Sequence, residues 1–138
     1  MLFAERGDLN EAERWYRYAA DGGDHDAEYD LGLMLARRGN FGEAERWYRR
    51  AADSGHHDAE YALGTLLTLR LHLKEAEDWL GRAADGGNDR AEQLLGVLLA
   101  NRGDSKEAER RLRHAAEAGN YEAKQLLRDL FAHRDESE

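Results

Sequence analysis

The feature that most constrains this fold is a 32-residue interval that returns along the whole chain. Ala12, Ala44, Ala76 and Ala108 stand one interval apart, as do Trp15, Trp47 and Trp79. The same spacing links Gly23, Gly55, Gly87 and Gly119, then Ala27, Ala59, Ala91 and Ala123, then Leu31, Leu63, Leu95 and Leu127. A period of this size is one small unit that cannot bury its own apolar face and must stack on copies of itself. The 138 residues are therefore expected to form one domain with a linear core, whose task is to present an extended surface.

Each interval holds two helical stretches. One, here helix B, is predicted near 9–21, 41–53, 73–85 and 105–117. Ala44, Trp47, Tyr48 and Ala51 show its apolar stripe, with steps of three and four residues. The other, helix A, is predicted near 25–38, 57–70, 89–102 and 121–133, with a stripe of Ala27, Leu31, Met34 and Leu35 and its equivalents. Gly7, Gly39 and Gly103 end the preceding helix in the left-handed conformation. Directly after them, Asp8 with Glu11, Asn40 with Glu43 and Asp104 with Glu107 spell a capping box. At the other turn Asp24, Asn88 and Asn120 are good N-caps, and His56 is a weaker substitute. A glycine followed at once by a cap means a tight hairpin. The fold class is thus all-α, a solenoid of antiparallel helix hairpins with eight helices.

Met1 to Arg6 align with Leu33 to Arg38, which predicts a truncated helix A remnant at 1–6. Repeat units then span 7–38, 39–70, 71–102 and 103–134, with a tail at 135–138, and a longer parent protein is expected. Gly32, Gly64 and Gly96 interrupt the helix A stripe. A mid-helix glycine costs about 1 kcal/mol relative to alanine, so its recurrence predicts a close approach between helix A and its own helix B. Arg128 replaces it in the last helix A, which no helix B follows, and Lys124, Asp129 and His133 complete a polar outer face there. One turn departs from the rest. Leu71-His72-Leu73 stands where Gly39-Asn40-Phe41 and Gly103-Asp104-Ser105 stand elsewhere, so a strained or differently shaped turn is expected. The apolar run it makes with Leu69 is read as local repacking in preference to a partner surface.

Charge narrows the functions. With 29 acidic against 20 basic residues the net charge is -9, and charged residues make up 36% of the chain at a mean hydropathy of -0.88. Glu13 with Arg17, Glu45 with Arg49, Asp78 with Arg82 and Glu109 with Arg113 sit four apart on helix B and describe a solvent face. Nucleic-acid and anionic-membrane binding need clustered Lys and Arg, so neither is expected, and a basic partner fits better than an acidic one. The chain has no cysteine, which removes disulfides and thiolate chemistry. No apolar run approaches the roughly 18 residues of a membrane span, and the first residues lack a secretory signal pattern, so a cytoplasmic location is expected.

Chemistry-bearing groups do not converge by spacing. His25, His56, His57 and Asp58 all fall at inter-repeat turns, where packed helices set equivalent positions about 10 Å apart. Ser54, His56 and Asp58 are neighbours only in sequence, which is not triad geometry. No metal, no cofactor and no enzymatic activity are expected. The Trp15, Trp47 and Trp79 column, with Arg14, Arg46 and Arg50 nearby, is read as inter-repeat packing in which Arg stems cover the rings.

From Leu31-Gly32 through Ala44, Tyr48 and Ala51 the spacing resembles a tetratricopeptide repeat. The Trp-Tyr-x-x-Ala-Ala-x-x-Gly-x-x-x-Ala-x-x-x-Leu-Gly run from Trp47 to Gly64 is more specifically similar to the Sel1-like repeat. Two departures are a shorter turn from helix A to helix B than in most Sel1-like repeats, and the lack of the proline that often ends a tetratricopeptide unit. The resemblance implies a right-handed superhelix with helix A lining the concave side, and work as a protein–protein interaction scaffold or adaptor. Mapped onto this chain, the groove positions form three ladders. They are Tyr29, Tyr61, Gln93 and Gln125; Leu33, Thr65, Val97 and Asp129; and Arg37, Leu69, Asn101 and His133. The expected partner is a protein or peptide segment. Two other uses remain: a structural spacer, and an end-to-end homo-oligomer in which Leu2, Phe3 and the first helix B find their missing neighbour. An RNA-binding helical repeat is less favoured, given the charge.

Overall fold

The computed structural model describes residues 2–136, and side chains for residues 9–131. Eight helices follow one another: α1 (Leu2–Asp21), α2 (His25–Arg37), α3 (Phe41–Asp53), α4 (His57–Leu69), α5 (Leu73–Asp85), α6 (Asp89–Arg102), α7 (Ser105–Glu117) and α8 (Tyr121–Glu136). Among the described residues there is no strand. Contacts run between successive helices, and beyond these α4 meets α6 and α6 meets α8. The alanine and leucine columns of the 32-residue interval are buried along this line, from Ala20 and Leu31 to Ala116 and Ala123. No helix is long and apolar enough to cross a membrane, among the described residues.

The glycines within α2, α4 and α6 explain how each hairpin closes. A Cβ at Gly32 would lie 2.5 Å from the Tyr48 ring, and at Gly64 or Gly96 it would lie 2.7 Å from Leu80 or Leu112. Tyr48, Leu80 and Leu112 occupy one column of helix B and are all buried. The close approach expected from the sequence is therefore a side chain of each B helix seated on bare backbone of its A helix.

The A-to-B turns share one geometry. The amides of Asn40, His72 and Asp104 donate to the carbonyls of Leu35, Leu67 and Leu99 at 2.8–2.9 Å. Gly39 and Gly103 hold the required positive φ at 83° and 98°, and Leu71 holds it at 64° without the freedom of glycine. A β-carbon in this region costs about 1–2 kcal/mol. The turn at Leu71 is thus strained but not differently shaped. Nor is it repacked: Leu69, Leu71 and Leu73 are 74%, 79% and 44% exposed, which corrects the local-repacking reading.

Two further expectations are corrected. No turn occurs at Gly7, because α1 runs unbroken from Leu2 to Asp21 and Asp8 lies inside it instead of at its start. Six residues make fewer than two helical turns, too little to repay a separate nucleation, whereas continuation adds one backbone bond per residue. The caps also divide differently. His56 is a full N-cap, its Nδ1 accepting from the Ala59 amide at 3.1 Å, as Asp24, Asn88 and Asn120 do for Ala27, Ala91 and Ala123. That bond needs the Nδ1 lone pair, which leaves Nε2–H to donate to Asp26 at 2.9 Å. At the B helices Asn40 turns its amide to the Glu43 carboxylate, and only Asp104 reaches a backbone N–H, at 3.5 Å.

Two substitutions test this account by urea denaturation. Leu71→Gly is expected to raise stability by about 1 kcal/mol through relief of the left-handed strain. Gly32→Ala gains helix propensity but drives a methyl into a buried ring, and a net loss of about 1–2 kcal/mol is expected.

Candidate protein-interaction surface

On the B-helix side the repeats are tied by a ladder built around one glutamate per unit. Arg17 on α1 donates to Glu43 on α3 at 2.9 Å, and Arg49 on α3 donates to Glu75 on α5 at 2.7 Å. Trp47 and Trp79 follow the same two carboxylates by four residues, on the same helices. The bond from Arg17 holds the Glu43 carboxyl below its ordinary range, and the bond from Arg49 does the same for Glu75. Both arginines lie farther from their i,i+4 partners Glu13 and Glu45, at 3.8 and 3.9 Å, so the cross-repeat pairing dominates. A parallel set joins Arg38, Arg70 and Arg102 to Glu13, Glu45 and Glu77 at 2.9–3.2 Å.

Arg50 and Arg82 cover the Trp47 and Trp79 rings at 4.9 and 4.7 Å. These rings are 9% and 8% exposed, as expected for packing residues, but Trp15 is 66% exposed and takes no part in that packing. Beneath the ladder lies a feature absent from the sequence reading. Glu28, Glu60 and Glu92 are buried; Glu28 pairs with His25 at 2.7 Å and Arg50 at 3.0 Å, and Glu60 with His57 at 2.6 Å. Glu92 pairs with Arg111 at 3.2 Å and His114 at 3.4 Å. The signal was available, since each Glu directly follows the repeating Ala27, Ala59 or Ala91.

The turn residues weighed for chemistry each have a separate structural role. His25 and His57 bind the buried glutamates, His56 caps α4, and Asp58 accepts from Asn88 at 3.4 Å. Ser54 donates to the Arg50 carbonyl at 3.3 Å. No three potential metal ligands converge among the described residues.

The nine groove residues lie on α2, α4 and α6, three to a helix and four residues apart. Tyr29, Tyr61 and Gln93 are half-buried, as are Leu33, Thr65 and Val97, whereas Arg37, Leu69 and Asn101 are exposed. The Tyr29 ring sits 6.1 Å from Tyr48 and 5.0 Å from His56. Burial, with help from Asp58 and Asp30, raises the Tyr29 phenol, and burial pushes Tyr48 up to about 12. Two of the nine are already engaged by their own chain. Thr65 donates to the Tyr61 carbonyl at 2.9 Å, and Gln93 donates to Glu122 and accepts from Asn120 at 2.9 and 2.8 Å. Among the ladder continuations, Gln125 is half-buried and Asp129 exposed, while the side chain of His133 lies outside the described residues.

This hairpin stack has known counterparts. The tetratricopeptide repeat family model matches residues 25–50 and 90–114. A Sel1 repeat protein from Oxalobacter formigenes is 29% identical with a TM-score of 0.77, over 90% of this chain and 56% of its own. The chain is similar to the Sel1-like and tetratricopeptide repeat proteins. YrrB, a tetratricopeptide protein with an unusual peptide-binding site, is 26% identical with a TM-score of 0.70, over 97% of this chain and 73% of its own. The protective antigen c5321 of uropathogenic Escherichia coli shares the fold at 24% identity and a TM-score of 0.74, over 80% of this chain and 26% of its own. No curated protein matches the chain. The chain thus spans little more than half of the Oxalobacter protein.

The glutamate ladder generates a pH dependence. A carboxyl held below its ordinary value of 4.5 contributes stability that is complete above that value and is lost as pH falls through the folded-state pKa. An Arg17→Met, Arg49→Met double variant keeps the stems and loses the ladder. Its urea midpoint should fall less steeply than that of the parent protein between about pH 5 and 3.

Proposed function

We propose that the A-helix face of α2, α4 and α6 docks an extended or helical protein segment, and that the module serves as an adaptor within a larger assembly. The observation that carries this reading is the pair Tyr29 and Tyr61. They stand one repeat apart, half-buried, with Arg37 on the same face of α2 as Tyr29. Two aromatics beside an arginine suit apolar anchors joined to a carboxylate or backbone carbonyl, the residue types enriched at binding hot spots. Leu33, Leu69, Val97 and Asn101 extend the face, and Thr65 and Gln93 shape it while bonded to their own chain. These positions differ from repeat to repeat while the packing columns hold, as suits recognition of one ligand by a scaffold whose packing is common to every unit.

In this reading the segment binds through the units 7–38, 39–70 and 71–102, and 103–134 stacks on the last of them. The excess of 9 negative charges favours a segment of basic character and disfavours nucleic acid and anionic membranes. The repeats bring no catalytic chemistry, and the module works in the cytoplasm. A second reading, end-to-end self-association, is favoured by one observation: Leu9, Trp15 and Tyr18 on α1 are 51%, 66% and 78% exposed.

Affinity capture from the source cell, followed by titration of the captured segment, tests the docking face. Tyr29→Ala with Tyr61→Ala should weaken binding at least about 30-fold, the effect of a lost hot spot, with the far-ultraviolet dichroism unchanged. Unchanged binding, with loss instead on altering Glu45 and Arg49, would place the partner on the B-helix side and sink this reading. A single species at monomer mass in concentrated sedimentation runs would remove the self-association reading.

A further inference from the structure

The B-helix ladder is complete between α1 and α3 and between α3 and α5, but not between α5 and α7. Two columns change there together. The column of Arg17 and Arg49 carries Gly81, and the column of Trp47 and Trp79 carries Arg111. Where the ladder is complete, an arginine from one B helix bonds a carboxylate of the next, four residues before a buried indole. Between α5 and α7 neither filler is present. A cleft of about 880 Å³ occupies this place, lined by Gly81 and Asp85 of α5, Leu95 and Leu98 of α6, and Glu107 and Arg111 of α7.

The chemistry of this cleft follows from what the chain itself places in the intact rungs. Gly81 leaves room for a side chain, since the nearest atom to a Cβ there is a Leu95 methyl at 4.0 Å. Arg111 does not take the place of an indole, for its guanidinium is drawn to Glu92 at 3.2 Å and Asp85 at 3.3 Å. Glu107, the counterpart of Glu43 and Glu75, makes do with Arg110 from its own helix and with Arg111 at 3.3 Å. Arg110 holds Glu107 through both its Nε and a terminal nitrogen, but the pair is largely exposed, so an incoming guanidinium competes with it in solvent. The strained turn lies at the mouth: Leu73 lines both the cleft and the shallow depression around Leu71. Three departures from the repeat pattern, at positions 71, 81 and 111, thus lie in or beside one cleft.

The geometry points to the cleft between α5 and α7 as a second binding site, which takes a peptide segment presenting an aromatic side chain beside an arginine. The aromatic ring lies over Leu95 and Leu98, beside the column position that carries Trp47 and Trp79 in the other B helices. The arginine reaches Glu107, as Arg17 and Arg49 reach Glu43 and Glu75. Neither Tyr29 nor Tyr61 lines this cleft, although Asn101 of the proposed docking face does, and the site stands whether or not those tyrosines bind a partner.

The probe is the blocked dipeptide N-acetyl-Trp-Arg-amide, titrated into the full chain while amide chemical shifts are followed by nuclear magnetic resonance. Saturable shifts are expected at Gly81, Leu95 and Arg111. N-acetyl-Trp-Gln-amide and N-acetyl-Ala-Arg-amide should each bind at least about fivefold more weakly, since each lacks one of the two contacts. Gly81→Arg, which rebuilds the rung from within, should remove the shifts and raise the thermal midpoint. Glu107→Gln should erase the preference for the Trp-Arg probe over Trp-Gln, and Tyr29→Ala with Tyr61→Ala should leave the titration unchanged. No saturable shift, equal binding of the controls, or shifts that persist in Gly81→Arg would each overturn the proposal. Shifts at the same amides that grow with protein concentration alone would assign the cleft to a second copy of the chain and also overturn it.

Discussion

The solenoid depends on one repeated contact, the seating of a B-helix side chain on the glycine of its A helix. Tyr48, Leu80 and Leu112 fill the space that a β-carbon at Gly32, Gly64 or Gly96 would need. Without that approach the two helices of a hairpin stand farther apart, and the alanine columns at Ala44, Ala76 and Ala108 lose their burial. Loss of contact at a sub-ångström gap already forfeits a sizeable part of the dispersion well, so the fit has to be close. The glycine costs the helix some propensity in isolation, and the packing it permits more than offsets that cost.

Stacking then imposes a polar problem that the sequence solves with periodic charges. The buried Glu28, Glu60 and Glu92 each have a basic partner within hydrogen-bond reach, on the same helix or on the B helix of the same hairpin. Removing one such partner strands a buried charge, which is far costlier than losing an exposed pair. Outside them the Arg17–Glu43 and Arg49–Glu75 bonds set the spacing of successive B helices.

How much of this was legible follows from which quantities a periodic sequence encodes. Helix positions, the hairpin order and the Gly32, Gly64 and Gly96 approach were readable because each rests on spacing within one unit. The cross-repeat partner of Arg49 was not, since both Glu45 and Glu75 lie within reach of a long side chain and only the stacking distance decides. The fate of Gly7 was misread because a cap pattern specifies a helix start only where a turn has something to pack against. His56 was underrated, as its value as a cap depends on a ring nitrogen that Asp26 helps keep as an acceptor. The α5–α7 cleft could have been read from the columns, since Gly81 and Arg111 break two of them at once. Columns were read for what they share, and departures from them were followed only at Leu71.

The two edges of the stack are held by different forces. Along the B helices the ties are guanidinium to carboxylate, while along the starts of the A helices they include neutral amides, as between Asn120 and Gln93. Mobile ions screen the first kind far more than the second. Rising ionic strength therefore loosens the guanidinium–carboxylate ties more than the bond between Asn120 and Gln93, so the two sets of ties respond unequally to salt.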